Sequence, residues 1–436
     1  MKNRVKVIGG GLAGCECALY LADHDVEVTL AEMKPLKFSP AHKSADFCEL
    51  VCSNSLKSDD VYGNAAGLLK QEMRILGSKV IAAADKTKVP AGNALAVNRE
   101  AFSRAVTEEI KSRKNIKVVT EEVLKINKDE YTVVATGPLT SDALSEDIKN
   151  LTGGYLSFFD ASAPIIFADS IDMENAFWGD RYGKGNGDHL NLPLNKEEYE
   201  EFIKELLSAK KAPLKEFENS AVFEGCMPIE VMAARGKNTL RFGPMKPTGL
   251  DDPKTGRWPY ALIQLRREDS AGTMFNMVGF QTNLLFGEQK RVFSIVPALK
   301  NAEYARYGVM HRNTFIDSPK LLNKDFSLKS YPKVHFCGQI TGVEGYVESA
   351  ATGLLTAIYL TEKLSGKNPE IISEKTVSGA LTKYITTPNK DFQPMNANFG
   401  ILPAPAGIIR DKALKKRTQA ENSLEEVENF KRSIEL

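Results

Sequence analysis

An α/β fold with a parallel sheet, interrupted by an α+β insertion, is predicted by three features of the sequence. The first is a strand, a glycine-rich turn and a helix in immediate succession. Val5-Lys6-Val7-Ile8 runs into Gly9-Gly10-Gly11-Leu12-Ala13-Gly14, after which Ala13, Cys17, Tyr20 and Leu21 recur at helical spacing. The second is an alternating strand, Val26, Val28, Leu30, that ends on Glu32, eighteen residues past Gly14. The third is a change of texture between about residues 162 and 324 to dense loops of Gly, Pro and aromatic residues, after which the strand, loop and helix order resumes at Lys333. A chain of 436 residues exceeds what one core usually supports. The division expected is 1–162 with 325–436 as one domain and 163–324 as the insertion.

The opening unit is the Rossmann-like G-x-G-x-x-G arrangement. A tight turn, close backbone approach to a pyrophosphate and close packing of helix on sheet each exclude a side chain, which is why glycines stand at these places. The diphosphate of a dinucleotide then rests on the helix N-terminus, and Glu32 accepts hydrogen bonds from an adenosine ribose. After Glu32, residues 33–55 are rich in Lys, Pro, His and Ser without a period, and read as an ordered functional loop. Leu68, Leu69, Met73, Ile75 and Leu76 predict one helix, and Phe102, Ala105, Val106 and Ile110 another, followed by strands at 117–119 and 131–135. The second strand enters Ala135-Thr136-Gly137-Pro138, a turn placed to return the chain to the adenine side of a flavin.

Within the insertion, 196–208 reads as a helix, and the alternating runs 260–265 and 273–278 read as a small sheet. At 333–337 a strand meets Gly338-Gln339-Ile340-Thr341-Gly342-Val343-Glu344-Gly345-Tyr346. The stripe Val347, Ala350, Ala351, Leu354, Leu355, Ile358 and Tyr359 then marks a buried helix. Its N-terminal dipole suits the pyrimidine end of a reduced flavin, which carries negative charge. The last segment, 412–434, is charged and amphipathic.

Composition excludes several classes. Lys plus Arg at 57 against Asp plus Glu at 56 gives a net charge of +1, so no global field draws the chain to nucleic acid or membrane, and RNA contact requires a local basic patch. Six cysteines in so long a chain make no disulfide framework, which fits a reduced, cytoplasmic setting. Cys15, Cys17 and Cys337 fall on apolar faces and read as core. The chain opens directly on a strand, so no signal peptide is expected, and no apolar run approaches the ~18 residues of a membrane span. No cluster with metal-ligand spacing stands out.

Six motifs together resemble the folate- and FAD-dependent tRNA (uracil-5-)-methyltransferases over nearly the whole chain. They are residues 9–14, Leu50-Val51-Cys52-Ser53-Asn54-Ser55-Leu56, Phe223-Glu224-Gly225-Cys226-Met227-Pro228, Arg241-Phe242-Gly243-Pro244-Met245-Lys246-Pro247, Tyr307-Gly308-Val309-Met310-His311-Arg312-Asn313-Thr314, and residues 338–351. The resemblance implies a glutathione-reductase-like FAD-binding domain. Its cofactor contacts are expected from Gly9, Gly10, Gly11, Leu12, Ala13, Gly14, Glu32, Gly137, Gly338, Gln339, Gly342, Val343, Glu344, Gly345 and Tyr346. It also implies carbon transfer from 5,10-methylenetetrahydrofolate to uridine C5, with electrons from NADPH or NADH. A monomer is expected. The family's usual target is the T-loop uridine of tRNA; some relatives act on large-subunit rRNA.

By the same resemblance Cys226 is the nucleophile that adds to C6 and Cys52 the base that removes the C5 proton. A thiolate is soft and a good leaving group, and nearby Arg or Lys lowers its pKa. Arg235 and Arg241 are candidate neighbours of Cys226. His311 is expected to stack on the pterin, and Tyr346 to pack against a ring. No second strand, G-x-G-x-x-G and helix unit is present for a nicotinamide cofactor, so reductant and folate are expected to use one flavin face in turn. RNA contacts are expected from Lys290, Arg291, Arg306, Arg312, Lys415, Lys416 and Arg417, with Arg266 and Arg267 as further candidates, and the target base must be flipped. Departures are Asn191-Leu192-Pro193, where the family usually has Asn-Cys-Pro, and Phe336-Cys337-Gly338 in place of Phe-Ala-Gly. Three rival readings are the same chemistry on rRNA, a flavin disulfide or small-molecule oxidoreductase with no need for folate or Cys226, and a flavin-bearing RNA-binding module without catalysis; separately, Cys48 and Cys52, four residues apart, invite a dithiol reading although the spacing is not C-x-x-C.

Overall fold

Val5, Val7, Val28, Leu30, Val133, Val134, Val334 and Phe336 are buried, as expected of a parallel sheet covered on both faces. The computed structural model describes residues 3–154, 156–183, 186–212, 227–269, 271–390, 392–405, 407 and 409–435, with backbone only at 156–160, 311 and 312. Five strands lie in the order Val334–Phe336, Thr132–Val134, Arg4–Ile8, Glu27–Glu32, Ile116–Thr120, each pair parallel. The fold is therefore Rossmann-like α/β. The chain leaves this sheet after residue 134 and returns beside the same strand at 334, so everything between is inserted along one sheet edge.

The first helix, Leu12–Asp23, and the long helix Tyr346–Leu364 pack on one face in a shared core with Val5, Val7, Leu354 and Ile358. Their crossing is close because Gly353 has no side chain: a Cβ there would lie 2.3 Å from the carbonyl oxygen of Ala13. Ile8 and Val134 point the other way, into a cluster with Leu144, Ile148, Leu322 and Phe336. Helices Ala65–Ile75, Lys79–Lys86, Arg99–Ser112, Val377–Thr386 and Lys412–Ile434 complete the outer layer. Glu72 ties three of them together. Its buried carboxylate accepts from the backbone N–H groups of Val377 and Ser378 at 2.7 and 2.9 Å and from the Ser423 hydroxyl at 2.5 Å, filling orphan donors at a helix start.

A second sheet of six antiparallel strands, spanning 165–306, has its own core of Leu190, Leu192, Phe202, Ile263, Phe280 and Phe293. A two-stranded ribbon pairs Leu156–Ala161 with Met310–Phe315, and a three-stranded antiparallel sheet has the order Ser55–Ser58, Ala94–Val97, Lys88–Val89. The helices at 65–75, 99–112, 196–208, 346–364 and 412–434 fall where periodicity places them. Lys79–Lys86, Asp142–Thr152, the ribbon and the small sheet add to what the sequence predicts. Residues 33–54 contain no helix or strand. Cys15, Cys17 and Cys337 are buried, and so is Cys48, which lies beside Cys15. Among the described residues no helix is long and apolar enough to cross a membrane.

Candidate active site

A cleft crosses the carboxyl ends of the parallel strands, the position where open α/β sheets bind ligands, and encloses about 1110 Å³ of non-atom space with its open mouth included. Gly9 to Ala13 line its middle, Ala31 to Lys34 one wall, Ala135 to Ser141 the other, and Gly338, Gln339, Tyr346 and Ser349 its far end. The glycines divide the work. Gly9 turns with φ of 106°, and a Cβ on Gly14 would lie 1.9 Å from the Gly9 carbonyl oxygen, so both are demanded by the protein's own packing. A Cβ on Gly10 would strike Phe47 and Glu32. At Gly11 a Cβ would meet nothing within 4 Å, which leaves space for a ligand against the backbone.

Glu32 is buried, and its two oxygens accept from the Gly10 N–H at 2.7 Å and the Lys34 N–H at 2.9 Å. Each oxygen keeps acceptor capacity for a hydroxyl. The helices Leu12–Asp23 and Tyr346–Leu364 both begin at the cleft without a side-chain cap, so their first N–H groups and positive dipole ends serve an anionic ligand. Gly137 is on the wall, with φ of 65°. Gly342 to Gly345 form the turn into the long helix and do not line the cleft. Gly342 sits against Phe392, Val343 is buried, and Glu344 accepts from the Gln339 amide at 2.6 Å.

Cys52 is half-buried beside this far end. Its backbone N–H donates to the Tyr346 hydroxyl at 2.8 Å, and its Sγ lies 3.0 Å from the same oxygen. Burial pushes the Tyr346 hydroxyl well above the usual phenol range, so it stays protonated at neutral pH. Such a hydroxyl accepts from a thiol and donates to a thiolate.

The loop carrying Cys52 is pinned on both sides. Arg99 donates to the Leu50 carbonyl at 2.6 Å and holds Glu268 through two hydrogen bonds of 2.5 and 3.2 Å. Arg266 donates to Asn54 Oδ1 at 3.0 Å and to the Ser53 hydroxyl at 2.9 Å, and Asn54 donates to the Arg267 carbonyl at 2.9 Å. Burial pulls the Arg266 guanidinium down to about 10, which leaves it cationic at neutral pH. Burial, then Arg99 beside it, also pulls Arg306 below its ordinary value. Arg99, Arg266 and Arg306 all lie within electrostatic reach of Cys52, and three guanidiniums there favour a thiolate.

Cys226 lies outside the described residues, as do the side chains of His311 and Arg312. The flanks of the Cys226 segment are fixed side by side. Ala212 N–H donates to the Asn283 carbonyl at 2.8 Å, and Ile229 N–H to the Gln281 carbonyl at 2.7 Å. Buried Glu230 accepts from the Thr282 hydroxyl and the Asn283 N–H.

A family model described as Glucose inhibited division protein A matches residues 4–368. The methylenetetrahydrofolate–tRNA-(uracil-5-)-methyltransferase TrmFO of Acetivibrio thermocellus is 54% identical over 432 residues, covering 99% of each chain. The protein of the same name from Staphylococcus aureus strain Newman is 51% identical over 437 residues, covering 100% of both. The chain belongs to the TrmFO family. Among solved structures, Aquifex aeolicus GidA in its form I crystal superposes with a TM-score of 0.74, covering 100% of this chain and 76% of that one. Its form II crystal gives 0.73. At 16% identity that likeness bears on the fold alone.

For a TrmFO family member, the remaining basic residues are placed unevenly. Arg266 is buried against the Cys52 loop, Arg306 is half-buried within electrostatic reach of Cys52, and Arg267 lies over the Trp178 ring at 4.7 Å. Arg241 stacks on Tyr260 at 3.7 Å and donates to its carbonyl. Arg291 is exposed but paired with Glu205 and Glu288. Lys290, Lys415, Lys416 and Arg417 are exposed, Arg417 pairing with Glu421 at 2.9 Å. Arg99 and Glu268 carry no motif of their own, and Asn54 stands in a motif that does not announce its partners. Arg99 and Glu268 are 169 residues apart, and only the return of the inserted sheet on to the flavin-side loop brings them together.

Proposed function

We propose that this chain makes 5-methyluridine in tRNA in the cytoplasm, taking the carbon from 5,10-methylenetetrahydrofolate and the electrons, through FAD, from NADPH or NADH. The observation that carries this reading is Cys52 hydrogen-bonded to the Tyr346 hydroxyl, with three guanidiniums within electrostatic reach, at the end of a dinucleotide-shaped cleft. FAD fits the cleft. The free backbone face at Gly11 and the N–H groups of Leu12 and Ala13 would hold its diphosphate, Glu32 its ribose, and Gln339 and Tyr346 would border its ring end. Reduced FAD, when bound, supplies the hydride that turns a methylene on uracil C5 into a methyl group.

The protein's own part is thiol chemistry. The Cys226 thiolate adds to C6 of the flipped uracil, which moves electron density to C5, and C5 takes the folate methylene as its bond to folate nitrogen breaks. The Cys52 thiolate removes the C5 proton as the methylene's second bond to folate nitrogen breaks and folate leaves, and the C6–S bond breaks, releasing Cys226 and restoring the C5–C6 double bond, when hydride reaches the methylene. The Tyr346 hydroxyl turns its proton towards sulfur while Cys52 is ionised and away once it is protonated. Residues 163–324 act as the unit that brings Cys226 to this place. The relatives compared above carry the tRNA name, and the ribosomal alternative draws no support from them. A Cys48–Cys52 dithiol is disfavoured because Cys48 is buried against Cys15.

The test supplies unmodified tRNA transcript, methylenetetrahydrofolate labelled in its methylene carbon, and NADPH. The reading expects labelled 5-methyluridine that requires all three and is lost in Cys52→Ala. Label transfer without a reductant, or none with wild-type protein containing FAD, would contradict it.

A further inference from the structure

Three aromatic rings stack in a row on the inserted sheet. The centroids of Tyr304 and Tyr307 are 4.9 Å apart with planes 17° from parallel, and those of Tyr307 and Phe286 are 4.8 Å apart at 14°. Both separations sit at the short end of the range for ring pairs. Phe286 closes the row and is 54% exposed, with its neighbour Leu285 at 40%. Tyr307 covers one face of Phe286, so the exposed surface lies on the other face and the edge. The Tyr304 hydroxyl, at the inner end, is buried without a hydrogen-bond partner among the described residues. That ring is kept for its face and not for its polar tip.

The row also has a telling address. Phe286 follows Gln281 to Leu284, the strip that receives both flanks of the Cys226 segment. Tyr307 follows Arg306, whose charge reaches Cys52 and Tyr346. The row therefore spans from the anchor of one proposed catalytic thiol towards the surroundings of the other. Lys210, Lys211 and Lys290 are exposed around it and make no ion pair among the described residues, whereas Arg291 is bound to Glu205 and Glu288.

We propose that Phe286, backed by Tyr307 and Tyr304, is a stacking platform for an unpaired nucleobase of the RNA next to the target uridine, with Lys210, Lys211 and Lys290 meeting the adjoining phosphates. The inference rests on the RNA-methylating reading above. RNA loops are recognised by stacking splayed bases on aromatic rings, with cations tracking the backbone. One open ring face bordered by exposed lysines suits a single base better than an apolar protein surface, which would need a wider apolar patch and fewer charges.

The experiment measures binding of unmodified tRNA transcript to FAD-containing full-length protein at fixed salt, together with KM for tRNA. Phe286→Ala is expected to weaken both about 5- to 150-fold, the loss of one base–aromatic stack. Phe286→Trp should restore them to within about twofold, and Phe286→Leu should not. Trp258→Ala, another exposed aromatic outside the row, is the control expected to bind as wild type. Matching thermal melts establish that the variants are folded. Binding by Phe286→Ala within about twofold of wild type, or rescue by Leu equal to that by Trp, would overturn the platform while leaving the methylation reading intact. Absence of 5-methyluridine from wild type, with the Phe286 series still ordered by aromaticity, would overturn the methylation reading and leave the platform.

Discussion

The Tyr346 hydroxyl touches both the N–H and the Sγ of Cys52, so one oxygen fixes where the thiol sits and which protonation state it prefers. Tyr346→Phe leaves a part-buried N–H without its acceptor, a loss of about 1–3 kcal/mol, and removes the donor available to the thiolate. Denaturant unfolding should register the first effect. The second should appear as a shift of the alkylation profile of Cys52 to higher pH, whereas an unchanged profile would show that Tyr346 does not tune the thiol. Gly11 provides a second residue-scale contrast. Gly11→Ala should fold normally and purify without flavin, because its Cβ enters only the cleft, while Gly14→Ala, 1.9 Å from a carbonyl oxygen, should fail to fold. Flavin absorbance per folded protein separates the two, and full flavin content in Gly11→Ala would contradict the placement of the diphosphate. Glycines and Glu32 are legible in the sequence because their roles are fixed by spacing within one βαβ unit. Arg99, Glu268 and Asn54 are not, since their partners come from 43 to 213 residues away along the chain.

Elements were legible where one periodicity ran long enough. The helices Tyr346–Leu364 and Lys412–Ile434 announce themselves by apolar spacing, whereas Lys79–Lys86 is only 8 residues long, too short for a period to repeat, and the ribbon pairs segments whose partner lies about 150 residues away. The strand Val334–Phe336 carries a prediction at this scale. His335 is wholly buried, and burial lowers its pKa to about 4 from an ordinary value of about 6.5, with Asp325 opposing and Lys363 adding to the effect. Because the folded value is depressed, no penalty exists above about pH 6.5, where both states are neutral. As pH falls towards 4 the unfolded chain takes the proton first, and stability drops by about 3 kcal/mol. Between pH 7 and pH 4.5 the unfolding free energy of wild type should therefore fall by about 2–3 kcal/mol more than that of His335→Val, whatever fixed offset separates the two. An unchanged difference would show that His335 ionises freely in the folded protein.

At the scale of the molecule, the inserted sheet grips the flavin-side half at the loop that bears Cys52, through Arg266 on Ser53 and Asn54 and through the Arg99–Glu268 pair. A displacement of the inserted sheet is thereby coupled to the position of Cys52. The direct test uses tRNA containing 5-fluorouridine at the target position, with methylenetetrahydrofolate and NADPH. Fluorine cannot leave C5 as a proton does, so the adduct to C6 should stall as a covalent protein–RNA complex. The account predicts that the complex survives denaturing electrophoresis for wild type and for Cys52→Ala and is absent for Cys226→Ala. A complex that persists in Cys226→Ala would contradict it.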